Sequence, residues 1–238
     1  MALIQAISIE KKYARTQALR GVDMTIEPGR IIGLLGPNGS GKTTMMKLLA
    51  CLLTPTAGEV VYSDNARRGA DSKRTISFLP DRLIFPGYMR VRDAFTFYSD
   101  MYPDYSKERE GELINLLELE EVMDRRIDKL SGGTKERVAL GVTFARNTNV
   151  YLLDEPLGGI DPVGKNKIIN AILSMQLENS SIVISTHLVK DIERIFDSVY
   201  FLSKGRIVFS GECDKMREEN GKTVEQAYLE VFANEGTI

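Results

Sequence analysis

The chain has 238 residues, 43 % of them apolar and 27 % charged, the balance of an ordinary soluble globular protein. Its 31 Lys and Arg against 33 Asp and Glu leave a net charge of −2, so no strong field argues for nucleic acid or an anionic membrane. Two cysteines, Cys51 and Cys213, make no disulfide framework and fit a reducing compartment; the first residues make no signal peptide, and no apolar run approaches the roughly 18 residues that span a bilayer.

In chain order, residues 2–9 and 18–26 alternate loosely between apolar and polar and predict strands, with a turn at Glu27-Pro28-Gly29. Ile31–Leu35 is a continuous apolar run ending in glycine. Val150–Leu153 and Ile182–Ser185 are two more such runs, ending in Asp154 and Thr186. Short apolar runs separated by helical stretches predict buried parallel strands with crossover helices. The helices are expected over Lys42–Leu53, Thr134–Ala145 and Lys165–Leu177. In the last, Ile168, Ile169, Ile172 and Leu173 fall on one face. Segment 82–130 holds no buried strand, and Leu113, Leu116 and Leu117 sit at helical spacing among Glu and Arg. It reads as a helical insertion in an α/β core. A last helix starts at Thr223, where Thr223 and Gln226 form a capping box and Val224, Ala227, Tyr228, Val231 and Phe232 form an apolar stripe.

Between a buried strand and a helix lies Gly36-Pro37-Asn38-Gly39-Ser40-Gly41-Lys42-Thr43-Thr44, which fits G-x-x-x-x-G-K-[ST] in the context the motif requires. Small residues let the backbone form a nest of N–H donors around phosphate oxygens, and the helix N-terminus adds free donors and a positive dipole end. Lys42 is placed to reach β- and γ-phosphates, Thr43 to ligate Mg²⁺, and Thr44 to donate to a phosphate. Together these groups imply nucleotide binding. Asp154 ends the strand Tyr151-Leu152-Leu153, a position from which it can hold Mg²⁺ through water. Glu155, one residue on, can accept a proton from attacking water. His187, the only histidine, ends the third buried run, where α/β sheets place ligands. By itself it reads equally as a structural residue and as a γ-phosphate contact. Leu130-Ser131-Gly132-Gly133 before a helix is either an N-cap turn with Ser131 as cap or a second phosphate-binding end.

In this order, the set resembles the ATP-binding cassette (ABC) ATPases over nearly the whole chain. The resemblance implies one nucleotide-binding domain over 1–238. Its fold would be a P-loop NTPase core with a mostly parallel sheet, an N-terminal antiparallel β subdomain and a helical subdomain inserted at about 82–145. It implies that Tyr13 stacks on adenine, that loop 36–44 is Walker A, and that Asp154 and Glu155 are the Walker B magnesium ligand and the catalytic base. Ser131, Gly132 and Gly133 resemble the signature that contacts ATP bound to the other protomer. Asp161 resembles the D-loop aspartate and His187 the switch histidine. ATP and Mg²⁺ are the implied ligands.

Three departures stand out. Asp81 replaces the family's usual Gln, with water-mediated reach to Mg²⁺; Thr134 replaces the Gln that ends the signature; and Gly158-Gly159-Ile160 replaces Ser-Ala-Leu. Glu155 and His187 are both present, so hydrolysis is still expected. The resemblance further implies a separate transmembrane subunit, a homodimer or heterodimer of cassettes closing head-to-tail over two ATP, and a place at the inner face of the membrane. The acidic residue at 81 and the short single cassette resemble drug, peptide or lipid exporters. The alternatives are a non-hydrolysing or weakly hydrolysing regulatory cassette and a soluble ABC ATPase not linked to transport. Part of the aromatic group Phe85, Tyr88, Phe95, Phe97, Tyr98, Tyr102 and Tyr105 is the expected place where a membrane subunit docks, with Phe85 and Tyr88 as its test residues, while most of these rings are expected to pack the insertion's own core. Arg67, Arg68, Lys73 and Arg74 read as a solvated basic face.

Overall fold

The computed structural model describes the chain except residues 64–71, 73, 83–84, 176–179 and 235–238. Of the basic face, Arg67, Arg68 and Lys73 lie outside the described residues. The chain opens with β1 (Ile4–Tyr13) and β2 (Thr16–Ile26), continues through β3 (Ile31–Leu35) into α1 (Lys42–Leu49), and returns in β4 (Ala57–Tyr62) and β5 (Ile76–Leu79). Then come α2 (Val91–Met101), α3 (Lys107–Leu116), α4 (Gly132–Phe144), β6 (Val150–Asp154) and α5 (Pro162–Ser174). The last part holds β7 (Ser181–Thr186), α6 (Val189–Ile192), β8 (Ser198–Ser203), β9 (Arg206–Glu212), α7 (Cys213–Asn220) and α8 (Val224–Asn234).

Two sheets form. One is antiparallel, in the order β2-β1-β4; the other is mostly parallel, in the order β5-β6-β7-β3-β8-β9, with only β9 antiparallel to its neighbour. This is the α/β architecture expected. Strands β3, β6 and β7 are buried along their whole length, which is why they read as unbroken apolar runs and not as alternating ones. The strand expected at 2–9 runs on to Tyr13, because Lys11, Lys12 and Tyr13 pair with Leu19, Gln17 and Thr16 and present only a short, polar pattern. β5 is absent from the sequence reading: four residues alone carry no period, and only pairing with β6 makes them a strand.

Helix ends differ for local reasons. α1 stops at Leu49 instead of Leu53 because Cys51 takes a left-handed φ of 58°, and the Leu52 and Leu53 N–H groups fold back to the Lys47 carbonyl. No glycine marks that stop. α5 starts earlier than Lys165, with Pro162 in its first turn and the Asp161 carboxylate accepting from Val163 and Gly164 N–H. Leu173 is 44 % exposed and leaves the face that Ile168, Ile169 and Ile172 bury.

Residues of segment 82–145 share one core with the parallel sheet. Phe95, Leu113, Leu117, Ile127 and Val138 pack in the same cluster as Leu79, Leu153 and Ile184. Arg146 fastens this region to the sheet. It is almost wholly buried, donates to the Ile76 carbonyl (2.8 Å) and pairs with Asp104 at 2.9 Å. α8 packs on the same core through Val224, Ala227 and Phe232, and its capping box is formed in both directions between Thr223 and Gln226. Among the described residues no helix is long and apolar enough to cross a membrane.

Candidate nucleotide site

β3 lies between β7 and β8, so its C-terminal end delivers the loop Gly36–Gly41 into the middle of the large sheet's rim. There the backbone packs too closely for side chains. A Cβ on Gly36 would lie 2.2 Å from the Leu202 carbonyl oxygen, and one on Gly41, at φ +115°, would lie 2.8 Å from that of Ala18. No side chain caps α1, so its first-turn donors are left for a ligand. Gly41, Lys42, Thr43 and Thr44 line a cavity of about 620 Å³, together with Asn38, Gly39, Asp81, Glu155 and His187.

Parallel pairing sets Asp154 opposite Ser185. The Ser185 hydroxyl donates to Asp154 Oδ1, while Oδ2 is buried with no hydrogen-bond partner among the described residues. Burial pushes this carboxyl above its usual range, opposed by the nearby hydroxyls of Ser185 and Thr43. The next residue, Glu155, turns out of the strand at a left-handed φ of 52°, a conformation unusual for a glutamate and held by its N–H bond to the Ser185 carbonyl at 2.9 Å. Its carboxylate accepts from the Thr186 hydroxyl (3.1 Å) and meets His187 Nδ1 at 3.0 Å. The Lys42 ammonium lies 3.3 Å from Glu155 Oε1 and donates to the Gly36 carbonyl at 2.7 Å and the Pro37 carbonyl at 3.3 Å. Lys42, Glu155 and His187, 145 positions apart along the chain at their extremes, thus form one group at the cavity wall, joined by an ion pair on one side of the carboxylate and a hydrogen bond on the other. Ser40 Oγ is a second buried oxygen without a partner among the described residues.

Other residues picked from the sequence stand elsewhere. Tyr13 is 41 % exposed with Lys11 Nζ 5.2 Å above its ring, and it is not part of the cavity wall. Thr16, Gln17, Ala18 and Arg20 of the same hairpin, with Lys204 and Gly205 of the β8–β9 turn, form that wall instead. Nothing local marks these six; only the folding of two hairpins over the loop brings them in. Ser131 caps α4 through Thr134 N–H, and Gly132 is open on its Cβ side. Gly133 is backed by Ile160 and Asp161, so these residues form a second surface away from this chain's own cavity. Asp81 lines both the first cavity and a second one of about 650 Å³ that reaches Thr43 and Asp154 from the other side. Glu136 carries no signal in the sequence. Burial, and next the charge of Asp81, push its carboxyl up to about 7.

The family model described as ABC transporter matches residues 19–158. The uncharacterized ABC transporter ATP-binding protein YxlF of Bacillus subtilis (strain 168) is 29 % identical over 220 residues, which cover 91 % of this chain and 73 % of the relative. The lantibiotic transport ATP-binding protein SrtF of Streptococcus pyogenes is 26 % identical, covering 89 % of this chain and 92 % of the relative. Among solved structures, an ATP-binding subunit of an ABC transporter superposes with a TM-score of 0.84 at 23 % identity, covering 96 % of this chain and 99 % of that one. A dimeric ATP-binding cassette in a post-hydrolysis state with ADP and Pi gives 0.78 at 24 % identity, covering 88 % and 98 %. At these identities the likeness is one of fold.

Proposed function

The chain belongs to the ABC transporter family, whose cassettes bind and hydrolyse ATP, and from that premise we propose that it is the ATPase subunit of an exporter. In this reading it is a single nucleotide-binding domain with a helical insertion over about 82–145. It works at the inner face of the membrane through a separate transmembrane subunit and closes head-to-tail with a second cassette. The observation that carries the hydrolytic part is the convergence of Lys42, Glu155 and His187 on one wall of the phosphate cavity.

Magnesium fits the residues present. The unpartnered Asp154 Oδ2 is a buried hard oxygen, and the Thr43 hydroxyl and the Asp81 carboxylate stand around the same space. When bound, Mg²⁺ supplies positive charge that polarises the phosphate oxygens. The loop 36–44 wraps the phosphates with backbone N–H groups. Lys42 exchanges the Gly36 and Pro37 carbonyls and the Glu155 carboxylate for phosphate oxygens, which frees Glu155. Glu155 then takes the proton of the attacking water, and His187, bonded to it through Nδ1, holds that carboxylate in line. Tyr13, outside the wall itself but paired in the hairpin with the wall residue Thr16, is the aromatic face proposed for adenine, and Ser131, Gly132, Gly133 and Asp161 meet the partner cassette. Thr134 and Asp81 remain departures that alter contact strength without removing the base.

Export is supported by the roles in the relatives' names, lantibiotic transport in one and linearmycin resistance in another. For the membrane partner, the exposed rings and thioether are Tyr88 (74 % exposed), Phe97 and Met101. Phe85 packs edge-on against Tyr98 at 5.7 Å, and Phe95 is buried, so both serve the fold.

The test is steady-state turnover of the purified chain with Mg²⁺ and ATP. Glu155→Gln is expected to lower kcat about 100-fold or more while ATP still binds. Equal turnover of the two proteins would reject hydrolysis at this site.

A further inference from the structure

After His187 and Leu188 come α6, a single helical turn, and a 3-10 turn over Glu193–Ile195. Two elements grip it from opposite sides. From the side of α5, Lys165 Nζ reaches the Asp191 carboxylate at 2.6 Å, and α5 is the helix that begins at the Asp161 cap. From the side of α8, the Glu225 N–H donates to the Glu193 carboxylate at 2.8 Å, so a side chain of the stretch after His187 satisfies a first-turn donor of the last helix. Between these two polar grips the packing is apolar. Val189, Ile192 and Ile195 share a core with Val224, Ala227 and Phe232. α8 is itself seated by rings. The Tyr228 and Phe232 rings meet at 4.3 Å, tilted by 38°, and Phe201 lies 5.5 Å edge-on from Tyr228. Phe201 is the β8 partner of Leu35, the last residue before the phosphate loop. The C-terminal helix therefore touches both the strand beside the phosphate strand and the histidine stretch.

We propose that Glu193 and Asp191 are positioning residues for hydrolysis, which, through the two grips on α6, hold His187 at hydrogen-bond distance from the Glu155 carboxylate. The proposal rests on the reading of Glu155 as the base. Neither residue touches that carboxylate; each acts through the backbone that carries His187. Tyr228 marks how close the last helix comes, since burial and then the charge of Glu155 raise its hydroxyl above the usual range. Loss of a grip leaves the phosphate loop and α1 untouched, so nucleotide affinity stays while the His187–Glu155 geometry loosens. Displacements of about 1 Å at the reacting groups cost up to roughly 100-fold in rate.

The experiment measures kcat and KM for ATP, with Mg²⁺, on the full chain. Glu193→Ala is expected to lower kcat about ten-fold with KM unchanged. Glu193→Gln, which keeps an oxygen to accept the Glu225 N–H, is expected to restore turnover. In a His187→Ala background, Glu193→Ala is expected to add no further loss, because its effect passes through the histidine. If Glu193→Ala does not fold, Asp191→Ala, which leaves Lys165 Nζ no acceptor there, carries the same test from the exposed side, with the same fall in kcat alone. An unchanged kcat in a folded variant, or a loss that multiplies on top of His187→Ala, overturns the proposal. Those outcomes are distinct from failure of the hydrolytic reading itself, which shows as equal turnover of wild type and Glu155→Gln.

Discussion

Arg146→Ala removes the fastening between the inserted helices and the sheet. The guanidinium makes two bonds to Asp104, at 3.1 and 2.9 Å, and donates to the carbonyls of Ile76 at 2.8 Å and Arg74 at 3.2 Å. It also sits 3.9 Å over the Tyr102 ring. Its side chain is 4 % exposed and that of Asp104 25 %. Breaking a buried ion pair from one side costs about 3–5 kcal/mol. Asp104 regains some water once its partner is gone, so the lower end, about 3 kcal/mol, applies. For a chain of this size 1 kcal/mol moves Tm by about 2–4 °C, which places the expected fall at roughly 6–12 °C. Thermal unfolding followed by far-UV circular dichroism reads it directly. Asp104→Asn keeps an oxygen acceptor and is expected to lose less than half as much. A fall of under about 3 °C for Arg146→Ala would refute the reasoning, because it would mean that the buried guanidinium is not what joins Asp104 and Ile76.

Three further outcomes are expected from the same geometry. Gly36→Ala would place a methyl 2.2 Å from the Leu202 carbonyl oxygen, so β8 or the loop must move; the variant is expected to lose ATP binding by equilibrium dialysis and about 1–3 kcal/mol of stability. Asp154→Asn relieves a buried carboxylate whose Oδ2 has no partner; the nucleotide-free protein is expected to gain about 1 kcal/mol while the Tm increment on adding Mg²⁺ and ATP disappears. Glu136 has an ordinary pKa of 4.5 raised to about 7 in the fold, so the folded chain binds the extra proton between those values. Its contribution to stability is therefore full below pH 4.5 and is lost as pH rises through about 7. Glu136→Gln is expected to be the more stable protein at pH 8, by about 1 kcal/mol after screening on its exposed side, and to match wild type near pH 4 in paired Tm measurements.

The phosphate loop, the two carboxylates and the histidine were legible in the sequence because each sits at the end of a run of residues buried on both faces. Such a run is apolar without interruption, so the polar residue at its end is recognised without knowing any contact. The same holds for the α8 stripe and its capping box, which are local patterns of 3.6 period and of one turn. β5 was not legible, since four residues show no period and become a strand only beside β6. Nor was the stop of α1, where Cys51 takes a left-handed conformation that glycine normally announces. The wall formed by Thr16, Gln17, Arg20 and Lys204 depends on two hairpins meeting over the loop.

The chain's local chemistry thus determined which groups stand at the ends of the buried strands and are proposed to meet a nucleotide: small residues in the loop, a lysine and a threonine opening a helix, carboxylates and a histidine at strand ends. Tertiary structure alone decided how those groups stand toward one another. Strand order β6-β7-β3 sets Glu155, His187 and Lys42 within bonding distance, and α5 and α8 pack around the residues after His187. Periodicity records which side of an element is buried, but not which other element buries it, and that second fact is what gives the site its geometry.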